Sequence, residues 1–472
     1  GNYSYISIDS AAADSYLSAP ASTDVLKESA YVTWTPVSGA DGYNVYCKPI
    51  GGSYVQLDSM LIRQYSGYFR ADAVGLKPGS YVMKVVPTAD GKEDTSKAVE
   101  SDAITVGSYD RSGFAFSKNS PNGGTGVGAY NDDGTLKDDA IVLYLTEETK
   151  KTMKFDVKGS SGYVSCTGLV EILDAYSDGY DSRPLNIRII GKVTADGVVG
   201  ANSDTNNLNL KTNNTKRIVK NITIEGIGDD AVCYGFGIRG LKIQSVEIRN
   251  IGIMLFGDDG IAFETANKNI WVHNNDIFYG TAGGDADQAK GDGSLDLKND
   301  SQYFTISYNH FWDSGKMSLC GMKSETGENW ITYHHNWFDH SDSRHPRIRT
   351  MSVHVYNNYY DGNAKYGVGA VLDADAFVEA NYFRNCKYPM LICGQGSDTG
   401  TFDDGVGAMI KSYGNYIEGA KSYITQNESS TSFDAYEVSS RNEKVPDSVK
   451  SLDGMGYNNF DTDSSIMYSY TA

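Results

Sequence analysis

Three segments late in the chain share one template, and their spacing limits the folds open to it. The segments are FTISYNHF (304–311), ITYHHNWF (331–338) and VHVYNNYY (353–360). In each, an apolar residue is followed five positions later by asparagine and seven positions later by an aromatic residue. Each repeat is too short for a helical hairpin and is rich in strand-forming residues, so it predicts one coil of a stacked, strand-rich repeat. A parallel β-helix fits this description best.

The repeated asparagines set the length of the predicted coil. Successive steps are 336 − 309 = 27, 358 − 336 = 22 and 381 − 358 = 23 residues. We expect their side chains to stack at a tight turn and to hydrogen-bond along the stack. A meander of antiparallel hairpins is the alternative, but it would need two-residue turns, and these spacings are too long. The template positions are Asn309, Asn336 and Asn358, with Asn381 and Asn415 as looser members and Asn250 and Asp276 as poorer fits.

The first hundred residues have a different sequence pattern. AYVTWTPVSGADGYNVYCKP (30–49) predicts two alternating strands around a Gly-Ala-Asp-Gly turn, and GLKPGSYVMKVVPTADGKE (75–93) leads from a Pro-Gly turn into a further strand. This pattern resembles a fibronectin type III or related β-sandwich module. We therefore predict an all-β protein with a β-sandwich over residues 1–107 and a parallel β-helix over residues 108–472. The sandwich could bind carbohydrate or act only as a packed spacer.

Composition excludes several classes of partner. The chain has 472 residues and a formal net charge of -19 at pH 7. Such an acidic balance argues against binding nucleic acid or an anionic membrane surface, both of which need basic patches. No run approaches the ~18 apolar residues of a membrane span. The six cysteines form no Cys-x-x-Cys pair, so a zinc site is not predicted and buried thiols are expected.

Two cations occupy matching positions on consecutive predicted coils. Lys316 lies 316 − 309 = 7 residues after the asparagine of its coil, and Arg344 lies 344 − 336 = 8 residues after the asparagine of the next coil. Equivalent positions on neighbouring coils stack on one face about 4.8 Å apart. The sequence therefore predicts that both cations line one groove.

Carboxylates precede these cations by one and two coils. Asp259 lies 259 − 250 = 9 residues after Asn250, and Asp292 and Asp296 are four residues apart, just before the next strand. Positions i and i+4 of a strand lie on the same side. Three oxygen donors from neighbouring coils predict a site for a hard cation such as calcium. Asp258 could serve in place of Asp259.

Several motifs in this half of the chain occur in a recognisable order. They are KNITIEGIG followed by VEIRNIGI, then DGSLD, YFTISYNHFWDSGKMSLCG, and RHPRIR followed by VHVYNNYY. This set, covering roughly residues 110 to 420, resembles the signature of pectate lyases. The resemblance implies a right-handed parallel β-helix and calcium-dependent β-elimination of polygalacturonate. Position by position, it implies catalysis by Arg344, substrate binding by Lys316 and Arg349, and calcium binding by Asp259, Asp292 and Asp296, and it leaves the role of Arg347 open.

The residue types suit that chemistry. The C5–H bond of a uronate is acidic only when the adjacent carboxylate is neutralised, and a divalent cation does this as a Lewis acid. Fixed cations such as Lys316 and Arg349 would stabilise the resulting carbanion. Arginine is a poor base at its usual pKa above ~12, so neighbouring cations would have to lower that pKa. This requirement predicts an alkaline optimum.

Other function classes fit parts of the pattern. A polygalacturonase on the same architecture would need several carboxylates, and GDD (257–259) hints at them, but the Gly-His-Gly and Arg-Ile-Lys motifs of that family are absent. A non-catalytic pectin-binding protein is a second alternative, against which the set of Lys316, Arg344 and Arg349 argues. A calcium-independent pectin lyase is disfavoured by the aspartates. We expect a secreted, monomeric enzyme whose partner is polygalacturonate.

Overall fold

The computed structural model describes residues 16–19, 25–200, 206–280, 290–323, 325, 329–392, 408–413, 415–420 and 436–439. Within these residues the chain is nearly all β and divides into two compact units. The N-terminal unit takes residues up to 111 together with 130–138, and the second unit takes 112–129 and the residues from 139 onward. The boundary predicted after residue 107 stays a prediction.

The N-terminal unit contains two β-sheets whose inner faces share one apolar core. The first sheet consists of Leu17–Ser18, Ser29–Trp34, Tyr68–Val74 and Ile62–Tyr65. The second consists of Val25–Lys27, Ile104–Gly107, Gly79–Ala89, Gly42–Pro49, Val55–Gln56, Lys92–Glu93 and Val99–Glu100. Trp34 and Ala71 of the first sheet pack in the same buried cluster as Val45 and Met83 of the second. The predicted β-sandwich is confirmed, and its likeness to fibronectin type III stays a prediction.

The second unit is the predicted parallel β-helix, built from three parallel sheets. Sheet 1 contains Ile141–Leu145, Leu185–Ile189, Lys220–Gly226, Gln244–Arg249, Lys268–His273, Gln302–Ser307, Ile331–His334, Ser352–Tyr356, Asp375–Glu379 and Met409–Tyr413, with Tyr436–Ser439 added antiparallel. Sheet 2 contains Lys192–Thr194, Val232–Tyr234, Gly252–Met254, Asp276–Phe278, His310–Trp312, Trp337–Asp339, Tyr359–Asp361, Tyr382–Arg384 and Tyr416–Glu418. Sheet 3 contains Asn207–Lys211, Gly237–Leu241, Ile261–Thr265, Leu295–Leu297, Leu319–Cys320, Arg347–Arg349, Val368–Val371 and Met390–Ile392.

One end of the β-helix carries the unit's helix. TGLVEILDAYSDG (167–179) has apolar residues at helical spacing, which predicts a helical face, and the helix spans Leu169–Tyr176. Its buried side chains belong to the β-helix core, beside the antiparallel hairpin Lys154–Gly159 and Gly162–Thr167. Short 3₁₀ turns lie at Ser59–Leu61, Thr95–Lys97 and Phe114–Phe116. In the described part of the chain, no helix is long and apolar enough to cross a membrane.

Alternation along each strand decides which side chains form the core. In sheet 3, Phe263, Leu297, Cys320, Ile348 and Ala370 occupy one register position on five consecutive coils, and all are fully buried. Burying a side chain the size of Leu or Ile contributes about 1.5–3 kcal/mol. Because successive strand residues point to opposite faces, the neighbours of this column point outward. The outward positions of sheet 3 are therefore available for function.

The asparagine stack lies at the turn between sheets 1 and 2. The Nδ2 atom of each member donates to the Oδ1 atom of the next member, at 3.0–3.1 Å. The sequence located five members correctly, but the two poorer fits were wrong. Asn275 begins the row rather than Asp276, and the Asn250 side chain donates to the Gly226 and Gly228 carbonyls instead. The members in order are Asn275, Asn309, Asn336, Asn358, Asn381 and Asn415.

Replacing Asn336 with alanine is expected to lower the free energy of unfolding by about 2–5 kcal/mol. Its side chain donates to the Ile306 carbonyl at 2.9 Å and to Asn358, and it accepts from the backbone and side chain of Asn309. The substitution leaves several of these buried groups unpaired. Denaturant unfolding measures the effect, with Asn209→Ala as the control because the Asn209 side-chain oxygen accepts no hydrogen bond. Equal losses in the two variants would contradict a stabilising role for the stack.

Candidate active site

The predicted site residues lie on two neighbouring parts of the β-helix. One part is the set of loops that lead from sheet 2 to sheet 3, which carry Asp259, Asp292, Lys316 and Arg344. The other is the outward face of sheet 3: Leu295 and Leu297 belong to the core, so Asp296 between them points outward. Because the strands are parallel and in register, each coil places its loop beside the loop of the preceding coil.

Carboxylates from two consecutive coils converge in this region. An oxygen atom of each of Asp258, Asp259 and Asp292 lies within 4.8 Å of the others. Asp259 accepts the Gly293 N–H at 2.8 Å, which joins its carboxylate to the segment that carries Asp292. The backbone N–H of Asp292 also donates to the Asp258 carbonyl at 2.7 Å. The first coil therefore presents two adjacent aspartates to the second, and both belong to the acidic cluster.

Asp296 borders this cluster from the neighbouring strand. The Oδ1 atom of Asp296 accepts the Leu319 N–H at 2.9 Å. The same atom lies so close to Gly293 that a Cβ atom added to this glycine would be only 2.5 Å away. The Lys298 Nζ atom lies 3.9 Å from Oδ2 of Asp296 and 3.9 Å from Oδ2 of Asp259. The structure thus groups all three predicted aspartates and adds Asp258 and Lys298. Their assignment as metal ligands stays a prediction.

Burial makes the charged form of these carboxyls costly. Asp259 and Asp296 are 1% and 3% exposed. Burial raises the pKa of Asp259 to about 9, and repulsion from Asp296 adds to the shift. Burial also raises the pKa of Asp296, although Lys298 opposes the rise. For Asp258, burial and then the charge of Asp292 raise the pKa. A bound cation would remove this cost.

The donor atoms fit calcium. The Oδ2 atom of Asp259 is buried and accepts no hydrogen bond. One oxygen atom of the same carboxylate lies within 4.8 Å of an oxygen atom of Asp258 and of Asp292. Calcium takes six to eight oxygen ligands, with carboxylates prominent among them, and tolerates irregular geometry. An all-oxygen cluster of aspartates therefore suits a hard divalent cation better than a transition metal, which prefers nitrogen or sulfur ligands.

Lys316 and Arg344 lie on adjacent coils, as their spacing predicts. Lys316 forms an isolated parallel bridge with Ser343, and the Ser318 N–H donates to the Arg344 carbonyl at 2.8 Å. The Lys316 ammonium also lies 2.6 Å from Oδ1 of Asp292. Lys316, the first of these cations along the chain, therefore lies directly beside the acidic cluster.

The backbone at Arg344 is strained and firmly held. Its φ angle is 65°, in the left-handed region that costs a bulky residue free energy unless its surroundings impose it. On one side, the Ser343 hydroxyl donates to the Gly315 carbonyl at 2.8 Å. On the other, the His345 N–H donates to the Gly367 carbonyl at 2.9 Å, and the His345 carbonyl accepts the Tyr360 hydroxyl at 2.6 Å. These hydrogen bonds of the neighbouring residues thus fix the direction in which the Arg344 side chain points.

The remaining arginines lie on the next strand of sheet 3. Ile348 points into the core, so Arg347 and Arg349 point outward. A buried tyrosine, Tyr366, lies close to all three arginines of this region and hydrogen-bonds Arg344. The site therefore combines at least four carboxylates with a row of cations, an arrangement that suits an anionic ligand held partly through a bridging cation.

Three contributors were missed or left open by the sequence. Asp258 was considered only as a substitute for Asp259, whereas both are in the cluster. Lys298 follows Asp296 by two residues, a spacing that puts both on the same strand face. Tyr366 follows Asn358 by 366 − 358 = 8 residues, the same offset that separates Arg344 from Asn336. The coil spacing therefore carried a signal for Tyr366.

Acid is expected to destabilise the Arg344 loop through His345. This histidine is fully buried, and burial lowers its pKa to about 4, although hydrogen bonds to the backbone of Tyr366 and Gly367 oppose the shift. In the unfolded chain, the His345 imidazole binds a proton with its ordinary pKa near 6.5. The stability that neutral His345 contributes is therefore present above pH 6.5 and is lost as the pH falls toward 4. The loss is about 3 kcal/mol for this residue.

Unfolding experiments between pH 7 and pH 4.5 measure this slope. His345→Gln should flatten it, whereas His340→Gln, at a side chain that is 65% exposed, should leave it unchanged. Equal slopes in the wild type and His345→Gln would contradict the assignment.

Comparison with known proteins identifies the family. The sequence profile of the pectate lyase family matches residues 99–458, about three quarters of the chain. The chain belongs to the pectate lyase family. Among curated relatives of known name, the pectate trisaccharide-lyase of Bacillus licheniformis is 31% identical over 225 residues, which cover 47% of this chain and 62% of the relative. Pectate lyase 3 of Pectobacterium carotovorum is 36% identical over 196 residues, which cover 40% of this chain and 52% of that enzyme.

A solved structure supports the same architecture. The pectate lyase of Bacillus sp. N165, crystallised in complex with trigalacturonate, is 26% identical, with a TM-score of 0.50, covering 65% of this chain and 87% of that one. The chain spans 62% and 52% of the length of the two relatives from Bacillus licheniformis and Pectobacterium carotovorum. Its own activity and substrate are therefore matters for proposal.

Proposed function

We propose that this protein is a calcium-dependent pectate lyase that cleaves polygalacturonate by β-elimination and releases unsaturated oligogalacturonides. The observation that carries the proposal is the placement of Lys316 and Arg344 on adjacent coils beside the cluster of Asp258, Asp259 and Asp292. Membership of the pectate lyase family and the trigalacturonate bound by a related structure support the choice of substrate. We further propose that the enzyme acts outside the cell as a monomer.

In this proposal the aspartates hold calcium and the basic residues hold the substrate. When bound, calcium would draw charge from the uronate carboxylate and so acidify the adjacent C5–H bond. Arg344 takes the proton from C5, and the electron pair of that bond forms the C4–C5 double bond as the bond from C4 to the glycosidic oxygen breaks. Lys316 and Arg349 stabilise the negative charge that develops on the carboxylate during this step. A proton from solvent completes the leaving hydroxyl.

One assay separates this function from its alternatives. Polygalacturonate and methylated pectin are each incubated with the enzyme, with added calcium and with chelator. A lyase produces an ultraviolet-absorbing unsaturated product, and we expect it only with polygalacturonate and calcium. New reducing ends without this absorbance would indicate a hydrolase, and binding without turnover would indicate a pectin-binding protein. Full activity on methylated pectin in chelator would indicate a pectin lyase. Any of these three outcomes would overturn the proposal.

A further inference from the structure

Tyr366 occupies a fixed position in the loop between Tyr359–Asp361 and Val368–Val371. The residue is 1% exposed and packs with Val371, Tyr388 and Leu391. Its carbonyl accepts from Nδ1 of His345 at 2.7 Å, and its N–H donates to the Asp342 carbonyl at 3.3 Å. Both ends of the residue are therefore held, and its hydroxyl has a defined place.

The Tyr366 hydroxyl lies near three arginine side chains. The Tyr366 hydroxyl hydrogen-bonds the Arg344 side chain, and Arg347 and Arg349 are close enough to act on its ionisation. Arg344 belongs to the coil before Tyr366, and both lie eight residues after the stacked asparagine of their coil. The hydroxyl of one coil thus supports the guanidinium of the coil beside it.

The hydroxyl partner of Arg344 is neutral, whereas two buried arginines of this protein pair with carboxylates. Arg70 pairs with Asp72 at 2.9 Å, and Arg249 lies 3.3 Å from Glu247. Within the described residues, Arg344 forms no ion pair with a carboxylate inside 4.0 Å, although it is close enough to Asp296 to oppose the rise that burial causes in the pKa of that carboxyl. A carboxylate partner would stabilise the charged guanidinium and oppose its loss of a proton. A phenol fixes the guanidinium without that penalty.

We propose that Tyr366 is a positioning residue for Arg344, whose hydroxyl holds the guanidinium where it can reach the substrate C5–H in both of its protonation states. A phenol hydroxyl can accept a hydrogen bond from a charged guanidinium, and it can donate one to the imine nitrogen of a neutral guanidine. Burial raises the pKa of Tyr366 although the three arginines oppose the shift, which favours the neutral hydroxyl at alkaline pH. The inference rests on the proposed lyase function, with Arg344 as the base.

Tyr366→Phe tests the inference because it removes only the hydroxyl oxygen and keeps the packed ring. With polygalacturonate and saturating calcium, we expect kcat to fall roughly 10–100-fold, while KM and the calcium concentration for half-maximal rate stay near wild type. The primary isotope effect on kcat, measured with oligogalacturonate deuterated at C5, should rise because C5–H cleavage becomes slower than the other steps. Tyr333→Phe is the matched control: Tyr333 is also fully buried, but its hydroxyl faces Ser318 and Cys320 inside the β-helix. It should lower stability and keep kcat.

A second comparison separates an effect through Arg344 from an independent one. If Tyr366 acts through Arg344, the double variant Arg344→Ala/Tyr366→Phe should be no slower than Arg344→Ala. A double variant slower by the full single-variant factor would overturn the inference, and so would a Tyr366→Phe enzyme with wild-type kcat and isotope effect. A fall in kcat that only follows the folded fraction, measured by circular dichroism, would also overturn it. A wild-type enzyme that makes no unsaturated product would instead refute the proposed function.

Discussion

Replacing Arg344 with alanine or lysine is expected to reduce turnover by ~10²–10⁴, the usual cost of losing a general base. We expect the upper end of that range. Lysine keeps the charge, but its ammonium differs from the guanidinium in reach and shape. It should therefore not occupy the position from which the guanidinium of Arg344 reaches the substrate. Calcium binding and thermal stability should stay close to wild type, because Arg344 is half-buried and its backbone is held by its neighbours.

The matched control for this prediction is Arg384→Ala. Arg384 belongs to the same β-helix, but it lies on sheet 2 and pairs with Asp361 at 2.9 Å. Turnover of that variant should be unchanged. If Arg344→Ala keeps more than a tenth of wild-type turnover with saturating substrate and calcium, Arg344 is not the base. Lys316 then becomes the next candidate, because it lies on the adjacent coil.

Removing calcium with a chelator is expected to abolish polygalacturonate cleavage, and added calcium should restore it. Asp292→Asn should raise the calcium concentration needed for half-maximal rate by roughly 10–100-fold. The physical reason is that Asp292 contributes a formal charge to a cluster in which Asp259 and Asp296 are buried. Asp292 is more exposed than either, with 36% of its side chain accessible, so its loss should leave the fold intact.

Asp313→Asn is the control for the calcium experiment. Asp313 lies on the next loop between sheets 2 and 3, where it pairs with Lys290 and accepts the Gly280 N–H at 2.7 Å. Its replacement should leave the calcium requirement unchanged. Isothermal titration with calcium and steady-state rates at graded calcium both measure the effect. Full activity of chelator-treated wild type would show that the calcium assignment is wrong.

The sequence contained enough periodic information to predict the β-helix and much of its site. Asn309, Asn336 and Asn358 recur once per coil, and the same spacing predicts that Lys316 and Arg344 lie on adjacent coils, where the structure places them. This works because a stacked coil has a nearly constant length between its turn and its next strand. Position along the coil then determines the face on which a side chain lies.

That inference weakened where coil length varied. The row of asparagines begins at Asn275, whereas the sequence template offered Asp276, one residue away, as a poorer fit. The steps from Asn275 to Asn309 and from Asn381 to Asn415 are 309 − 275 = 34 and 415 − 381 = 34 residues, longer than the other three. In the first of these steps, the extra length lies between the strands Asp276–Phe278 and Leu295–Leu297. Counting along the chain cannot locate the end of such a loop. The grouping of Asp258 with Asp292 therefore became visible only in the folded chain.

The sequence alone determined that this is an all-β chain with a sandwich and a β-helix, that its coils repeat around asparagine, and that cations and carboxylates share one face. These features follow from local patterns of alternation, turn residues and spacing. Only the tertiary structure decided that the Lys298 ammonium lies 3.9 Å from both Asp259 and Asp296, that Asp258 joins the acidic cluster, and that Tyr366 hydrogen-bonds Arg344. Burial and contacts between coils create these relations, and both depend on atoms that are distant in the sequence.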